Sequence, residues 1–116
     1  MDVITATELD LLTCFGVEPQ LQDPGVPWQH NTATYAVEVD GWAVSFTIQP
    51  AYRELRLDLR RGGQRVLEMT ANSFTDLRVV DEPGRDAVEV QLSERGWFLL
   101  QVRPTVEVVQ GYGGPD

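Results

Sequence analysis

Two residues, Asp40-Gly41, separate runs in which every second residue is apolar, and this arrangement constrains the fold more than any other part of the chain. An Asp-Gly pair favours the type I′ turn of a two-residue β-hairpin, because both central positions of that turn need positive φ. Folded about it, Val39 pairs with Trp42, Val37 with Val44, Tyr35 with Phe46 and Ala33 with Ile48. All eight side chains then share one face.

The same reading extends toward the carboxyl end. Leu55, Leu57 and Leu59 alternate with Glu54, Arg56, Asp58 and Arg60, the signature of a half-buried strand. A three-residue turn at Gly62-Gly63-Gln64 sets Leu59 against Leu67, Leu57 against Met69 and Leu55 against Ala71. A two-residue turn sets Leu57 against Glu68, and a carboxylate in the core costs several kcal/mol unless it is neutralised, so that register is rejected. Leu77 and Val79 pair with Val88 and Val90 across an acidic loop. A turn at Glu94-Arg95-Gly96, with the glycine left-handed, pairs Leu92 with Phe98, Val90 with Leu100 and Val88 with Val102. Pro104 interrupts the chain, and Thr105 to Val109 reads as an edge strand.

Before the ladder, Thr5 to Gly16 reads as a short helix. Thr5 and Glu8 have capping-box spacing, Leu9, Leu12 and Phe15 form the apolar stripe, and Gly16 stops the helix. Residues 17–32 are a loop broken by Pro19, Pro24, Gly25 and Pro27, with Trp28 able to pack it down. The whole reads as one domain over residues 1–116: helix 1–16, loop 17–32, antiparallel meander 33–109, and a flexible tail 110–116. The fold class is mainly β, with about seven or eight strands curled into a barrel-like sheet or folded into two layers. A barrel-like curl with the helix plugging one opening is the favoured form.

The chain of 116 residues carries a formal charge of −9, and its nine basic residues are all arginine. An acidic chain of this kind argues against direct nucleic-acid or anionic-membrane binding, which need a basic stripe. It suits steering toward a basic protein. No apolar run approaches the ~20 residues of a membrane-spanning helix, and Met1 to Thr5 lacks the charged and apolar regions of a secretory signal. A soluble, cytoplasmic protein is the expectation, and the lone Cys14 fits a reducing compartment.

Catalytic candidates are few, and no catalytic residue, metal site or cofactor is assigned. His30 is the single histidine. As a base it needs a nucleophile and an orienting acid that the sequence does not pair with it. Cys14 falls near the carboxyl end of the helix, where the dipole disfavours a thiolate, and reads as a core thiol. Asp81, Glu82, Asp86 and Glu89 could attract calcium but lack EF-hand spacing. Gly62 and Gly63 sit in a hairpin turn and make no phosphate loop.

The outward faces say more. With Phe98, Leu100 and Val102 inward, Trp97 and Leu99 point outward and need a cover. The helix or the Trp28 loop could supply it internally, or a partner could dock with Trp97 as anchor. The candidate interface is therefore Trp97, Leu99, Trp28 and His30. The leading function is a small acidic protein-binding module, of inhibitor or immunity type, for a basic partner. A homodimer or structural subunit is the alternative, and a ligand-binding barrel or enzyme with the 17–32 loop as lid is the third reading.

Overall fold

The computed structural model describes residues 4–93 and 95–112. The first three residues, Glu94 of the expected last turn, and 113–116 of the expected tail lie outside that range. The described residues form α1 (Glu8–Phe15) and nine strands: β1 (Gln20–Leu21), β2 (Ala33–Val39), β3 (Trp42–Gln49), β4 (Glu54–Arg61), β5 (Gln64–Asn72), β6 (Asp76–Val79), β7 (Asp86–Gln91), β8 (Gly96–Arg103) and β9 (Glu107–Tyr112). Strands β1 to β5 form one antiparallel sheet in chain order, and β6 to β9 form a second.

The mainly β meander is therefore present in two layers, and the barrel closure is not. The chain leaves the first sheet at Ser73, whose φ is 61°, and enters the second through Phe74 and Thr75. Phe74 N–H donates to the carbonyl of Arg53, just before β4, and Thr75 N–H to the Gln91 carbonyl of β7, so neighbouring residues bond toward different sheets. Inward rows from both layers merge in one buried cluster, including Tyr35, Phe46, Leu57, Leu77, Val88, Phe98 and Leu100.

The first hairpin has the expected pairing throughout, from Val39 with Trp42 to Ala33 with Ile48. Asp40 and Gly41 take φ of 50° and 81°, the positive values that a type I′ turn demands. The second hairpin reaches its expected apolar pairs by another route. Its turn has two residues, Gly62 and Gly63, pairing Arg61 with Gln64, and a bulge at Val66 then restores Leu59 opposite Leu67. In the β7–β8 hairpin the register differs by two residues from expectation: Val90 faces Phe98 and Val88 faces Leu100. A slip of two keeps every side chain on its face, so alternation alone could not detect it. The Ser93 hydroxyl decides it locally, accepting from the N–H groups of Arg95 and Gly96, and Gly96 needs no left-handed φ.

The helix begins two residues later than expected. Thr7 and Asp10 form the capping box, at 3.1 Å and 2.9 Å. Thr5 serves instead as an anchor: its N–H and hydroxyl both donate to the Asp76 carboxylate, and Ala6 N–H donates to the Leu77 carbonyl. This later start turns Leu11, Cys14 and Phe15 inward and leaves Leu9 67% exposed, replacing the expected Leu9/Leu12/Phe15 stripe. Phe15 stacks on Tyr35 and Phe46, with ring centroids 5.2 Å and 5.3 Å away. Gly16 closes the helix at φ 72°. Beyond it Arg103 donates to the carbonyls of Cys14 and Phe15, placing a cation at the negative end of the helix dipole.

The 17–32 loop contains β1 and a single 3-10 turn at Trp28–His30. Asn31, only 6% exposed, holds it: its side-chain amide donates to the Asp23 and Val26 carbonyls, and its oxygen accepts from the N–H groups of Asp23 and Thr32. Trp28 is buried, its indole N–H donating to the Tyr35 hydroxyl at 2.9 Å. At the other end, Gly111 and Tyr112 belong to β9 and pair with Trp97 and Gly96, although the sequence placed them in a flexible tail.

Two outcomes follow from this packing. Phe15→Ala removes the ring that joins the helix to the first sheet and should lower unfolding free energy by about 3 to 5 kcal/mol in chemical denaturation; a loss under about 1 kcal/mol would contradict its role. Burial alone would raise the Asp76 carboxyl, but the Thr5 N–H and hydroxyl, the Leu77 N–H and Arg78 together hold it below the usual carboxylate range. A depressed folded value stabilises above the unfolded pKa, and the gain disappears as pH falls through the folded value. Asp76→Asn should therefore lower the denaturation midpoint at about pH 7, and the gap to the parent should narrow as pH falls below the usual carboxylate range.

Candidate functional site

The outward face of the second sheet is built by strand alternation. Across β7, β8 and β9 one row reads Gln91, Trp97, Gly111 and the next reads Glu89, Leu99, Val109. Both rows point away from the buried Phe98 and Leu100. Trp97 and Leu99 are half-buried, and Val109 is 43% exposed. Together they form an apolar ridge.

The cover over Trp97 is neither the helix nor the Trp28 loop. Helix α1 packs against β2, β6 and β7 with Leu11, Cys14 and Phe15 in the core, and Trp28 is a core side chain on Tyr35. Trp97 instead lies across Gly111 of the neighbouring strand: a Cβ at that position would come within 2.1 Å of the indole. A glycine in an edge strand here supplies the flat floor that a large aromatic ring needs.

Polar groups border the ridge. On its β6 side, Asp76, Arg78, Glu89 and Gln91 line a shallow cavity of about 170 Å³, with Arg78 and Glu89 paired at 2.7 Å. Gln101 is 6% exposed and fully engaged, accepting from Arg85 and donating to the Thr105 carbonyl. His30 lies exposed in the 3-10 turn, alongside the buried Trp28. The four residues singled out from the sequence thus fall into two groups, Trp97 and Leu99 on the second sheet and Trp28 and His30 at the first. Val109 and Gly111 complete the ridge and were missed, because the sequence places one in a plain edge strand and the other in a tail.

A second concave region lies between α1 and the β6–β7 loop, with a volume of about 580 Å³ and Asp10, Asp81, Glu82 and Asp86 around it. Its carboxylates are largely engaged by their own chain: Asp10 caps the helix, Glu82 pairs with Arg85 at 3.4 Å and Asp86 with Arg103 at 3.5 Å. Among the described residues no group of three His, Cys, Asp or Glu side chains is placed to hold a metal ion. Cys14 lines this region, and burial, with Asp86 adding to it against Arg103, pushes its thiol up to about 12. At neutral pH it is a protonated core thiol.

The arginines are held within the chain. Arg56 pairs with Glu68, Arg60 and Arg65 with Asp58 at 3.3 Å and 3.1 Å, and Arg61 sits 5.0 Å over the Trp42 ring. Glu18, Glu38, Glu54 and Asp81 are exposed or nearly so and form no ion pair among the described residues. These four carboxylates among the described residues face solvent without a cationic partner. Among the described residues no helix is long and apolar enough to cross a membrane.

These features define a two-layer antiparallel β protein with an outward apolar ridge on its second sheet. No protein-family model matches the sequence, and no curated protein matches it. Its fold is similar to a chain of the solved "Contact-dependent growth inhibition toxin - immunity protein complex from Klebsiella pneumoniae 342", with a TM-score of 0.75 over 96% of this chain and 98% of that one. Sequence identity is 14%, so the likeness is one of fold.

The Trp97–Gly111 contact gives a direct test of the ridge. Gly111→Val should displace the indole and cost about 1 to 3 kcal/mol of stability, with a shift of tryptophan emission to longer wavelength. Unchanged emission and stability would mean that the ring does not rest on this glycine.

Proposed function

We propose that this chain is an immunity-type protein that binds and masks a basic partner protein, using the Trp97, Leu99 and Val109 ridge as its apolar contact. The observation that carries the reading is the fold likeness to a chain of a toxin–immunity complex across nearly the full length of both chains. The charge of −9 supports the inhibitory half of such a pair, because exposed carboxylates accelerate encounter with a basic surface. The protonated, buried Cys14 supports the same choice, since the chain's single thiol is not poised as a nucleophile.

The division of labour is physical. Carboxylates act at long range and set the association rate, so the complex forms faster at low salt. The ridge acts at contact: a large aromatic ring already fixed on Gly111 loses little conformational freedom on binding. The cytoplasm, where a reduced thiol persists, is the compartment this reading favours.

Capture on the tagged full chain from native lysate at low salt, with mass spectrometry, should retain a basic protein. That protein should arrest growth when expressed alone and be harmless when co-expressed with this chain. Trp97→Asp should weaken the purified pair by about 2 kcal/mol or more, and raising salt should slow association about tenfold. A retained protein that is acidic, or harmless by itself, would refute the immunity reading.

A further inference from the structure

Sheet edges carry rows of unpaired N–H and C=O groups, and folds blunt them with short strands, charges, bulges or a covering segment. Three of the four edges here are treated in that way. The outer edge of the first sheet is the two-residue β1, followed by residues 35–39 of β2, which carry Glu38 and lie on the strand that α1 meets. The β5 edge has a bulge at Val66 and carries Arg65 and Glu68, both tied into ion pairs. The β6 edge is covered by the amino-terminal segment, through Ala6 N–H on the Leu77 carbonyl. Strand β9 has none of these features. It pairs with β8 without a bulge, contains no proline and has one charged residue, Glu107, at its start. Among the described residues no backbone hydrogen bond reaches it from beyond β8.

We propose that β9 is a self-pairing edge, through which two copies of this chain join their second sheets antiparallel across a two-fold axis at Val109. An axis perpendicular to the sheet keeps outward side chains outward, so facing residues must share a face. Centring on Val109 satisfies this, placing Val108 opposite Gln110 and Glu107 opposite Gly111 of the second copy. The outward row then runs Leu99, Val109, then Val109 and Leu99 of the second copy, with no polar residue between them. Charge agrees with this direction. Glu107 marks one end of β9, and Arg95, 5.8 Å over the Tyr112 ring, marks the other. Antiparallel pairing brings the Glu107 end of each copy to the Arg95 and Tyr112 end of its mate. Exposure agrees as well, since Val109 and Tyr112 are 43% and 82% exposed in the single chain.

The opposing force is repulsion between two chains of charge −9 each. Salt screens it beyond about 8 Å at physiological ionic strength. Self-association should therefore tighten as salt rises from about 20 to about 200 mM, opposite to the salt response expected with a basic partner.

Sedimentation equilibrium of the full chain from about 1 µM to about 1 mM should show the mass rising from one chain to two. Val109→Asp places two carboxylates face to face and should hold the chain at one copy throughout, with its circular dichroism unchanged because Val109 is partly exposed. Val109→Cys should cross-link in oxidised glutathione, since facing residues of an antiparallel pair sit about 4.5 to 5.5 Å apart, within disulfide range. Val66→Cys, on the protected β5 edge, should not. A one-chain mass at every concentration, or a dimer that Val109→Asp leaves intact, overturns the proposal and leaves the binding of a basic partner unaffected.

Discussion

The structure depends on Arg103 holding the end of a short helix. Its guanidinium, from the second sheet, donates to the carbonyls of Cys14 and Phe15, and Phe15 stacks on Tyr35 and Phe46 of the first sheet. One side chain thereby links both layers through the helix between them. A helix of eight residues has too few internal hydrogen bonds to persist by itself. It is stable here because its capping box, its carboxyl-terminal arginine and its buried face are all satisfied together. The helix meets β2 of the first sheet and β6 and β7 of the second, so it joins the two layers without any strand pairing between them.

How much of this was legible in the sequence depended on the range of each interaction. The Asp40-Gly41 hairpin was readable to the residue, because turn chemistry and alternating pattern are both local and agree. At β7–β8 the pattern fixed which face Phe98 and Leu100 occupy and left the register free by two, which the Ser93 hydroxyl resolves. The partition into two sheets had no local signal. It rests on Phe74 and Thr75 donating toward different sheets, and nothing in the composition of that segment distinguishes it from another turn.

The surface was legible to a similar degree. Parity alone placed Trp97 and Leu99 outward, but the ridge also needs Gly111, whose meaning depends on the ring across the strand. A glycine followed by Tyr112 and two more glycines reads as a tail, and only the β8 pairing makes it a floor. Trp28 shows the opposite case. The sequence offers Trp28 both as the means of packing the loop down and as part of the candidate interface, and the structure shows the packing: its indole N–H finds the Tyr35 hydroxyl, whose ionisation burial pushes up to about 12, so the pair is buried at no loss of hydrogen bonding. Helix α1 was misphased for a related reason: Thr5 and Thr7 offer equivalent caps, and the choice falls to Asp76, a residue distant in sequence.

Charge and packing are separated in this molecule. The arginines are taken up by carboxylates, carbonyls and aromatic rings of their own chain, so positive charge stabilises the fold and excess negative charge is left for the surroundings. A long-range field of one sign favours encounter with an opposite partner and opposes contact between identical copies. The apolar ridge and the bare β9 edge act only over a few ångströms and carry almost no charge. Salt would therefore move the two proposed contacts in opposite directions, so ionic strength alone distinguishes binding of a basic partner from pairing with a second copy.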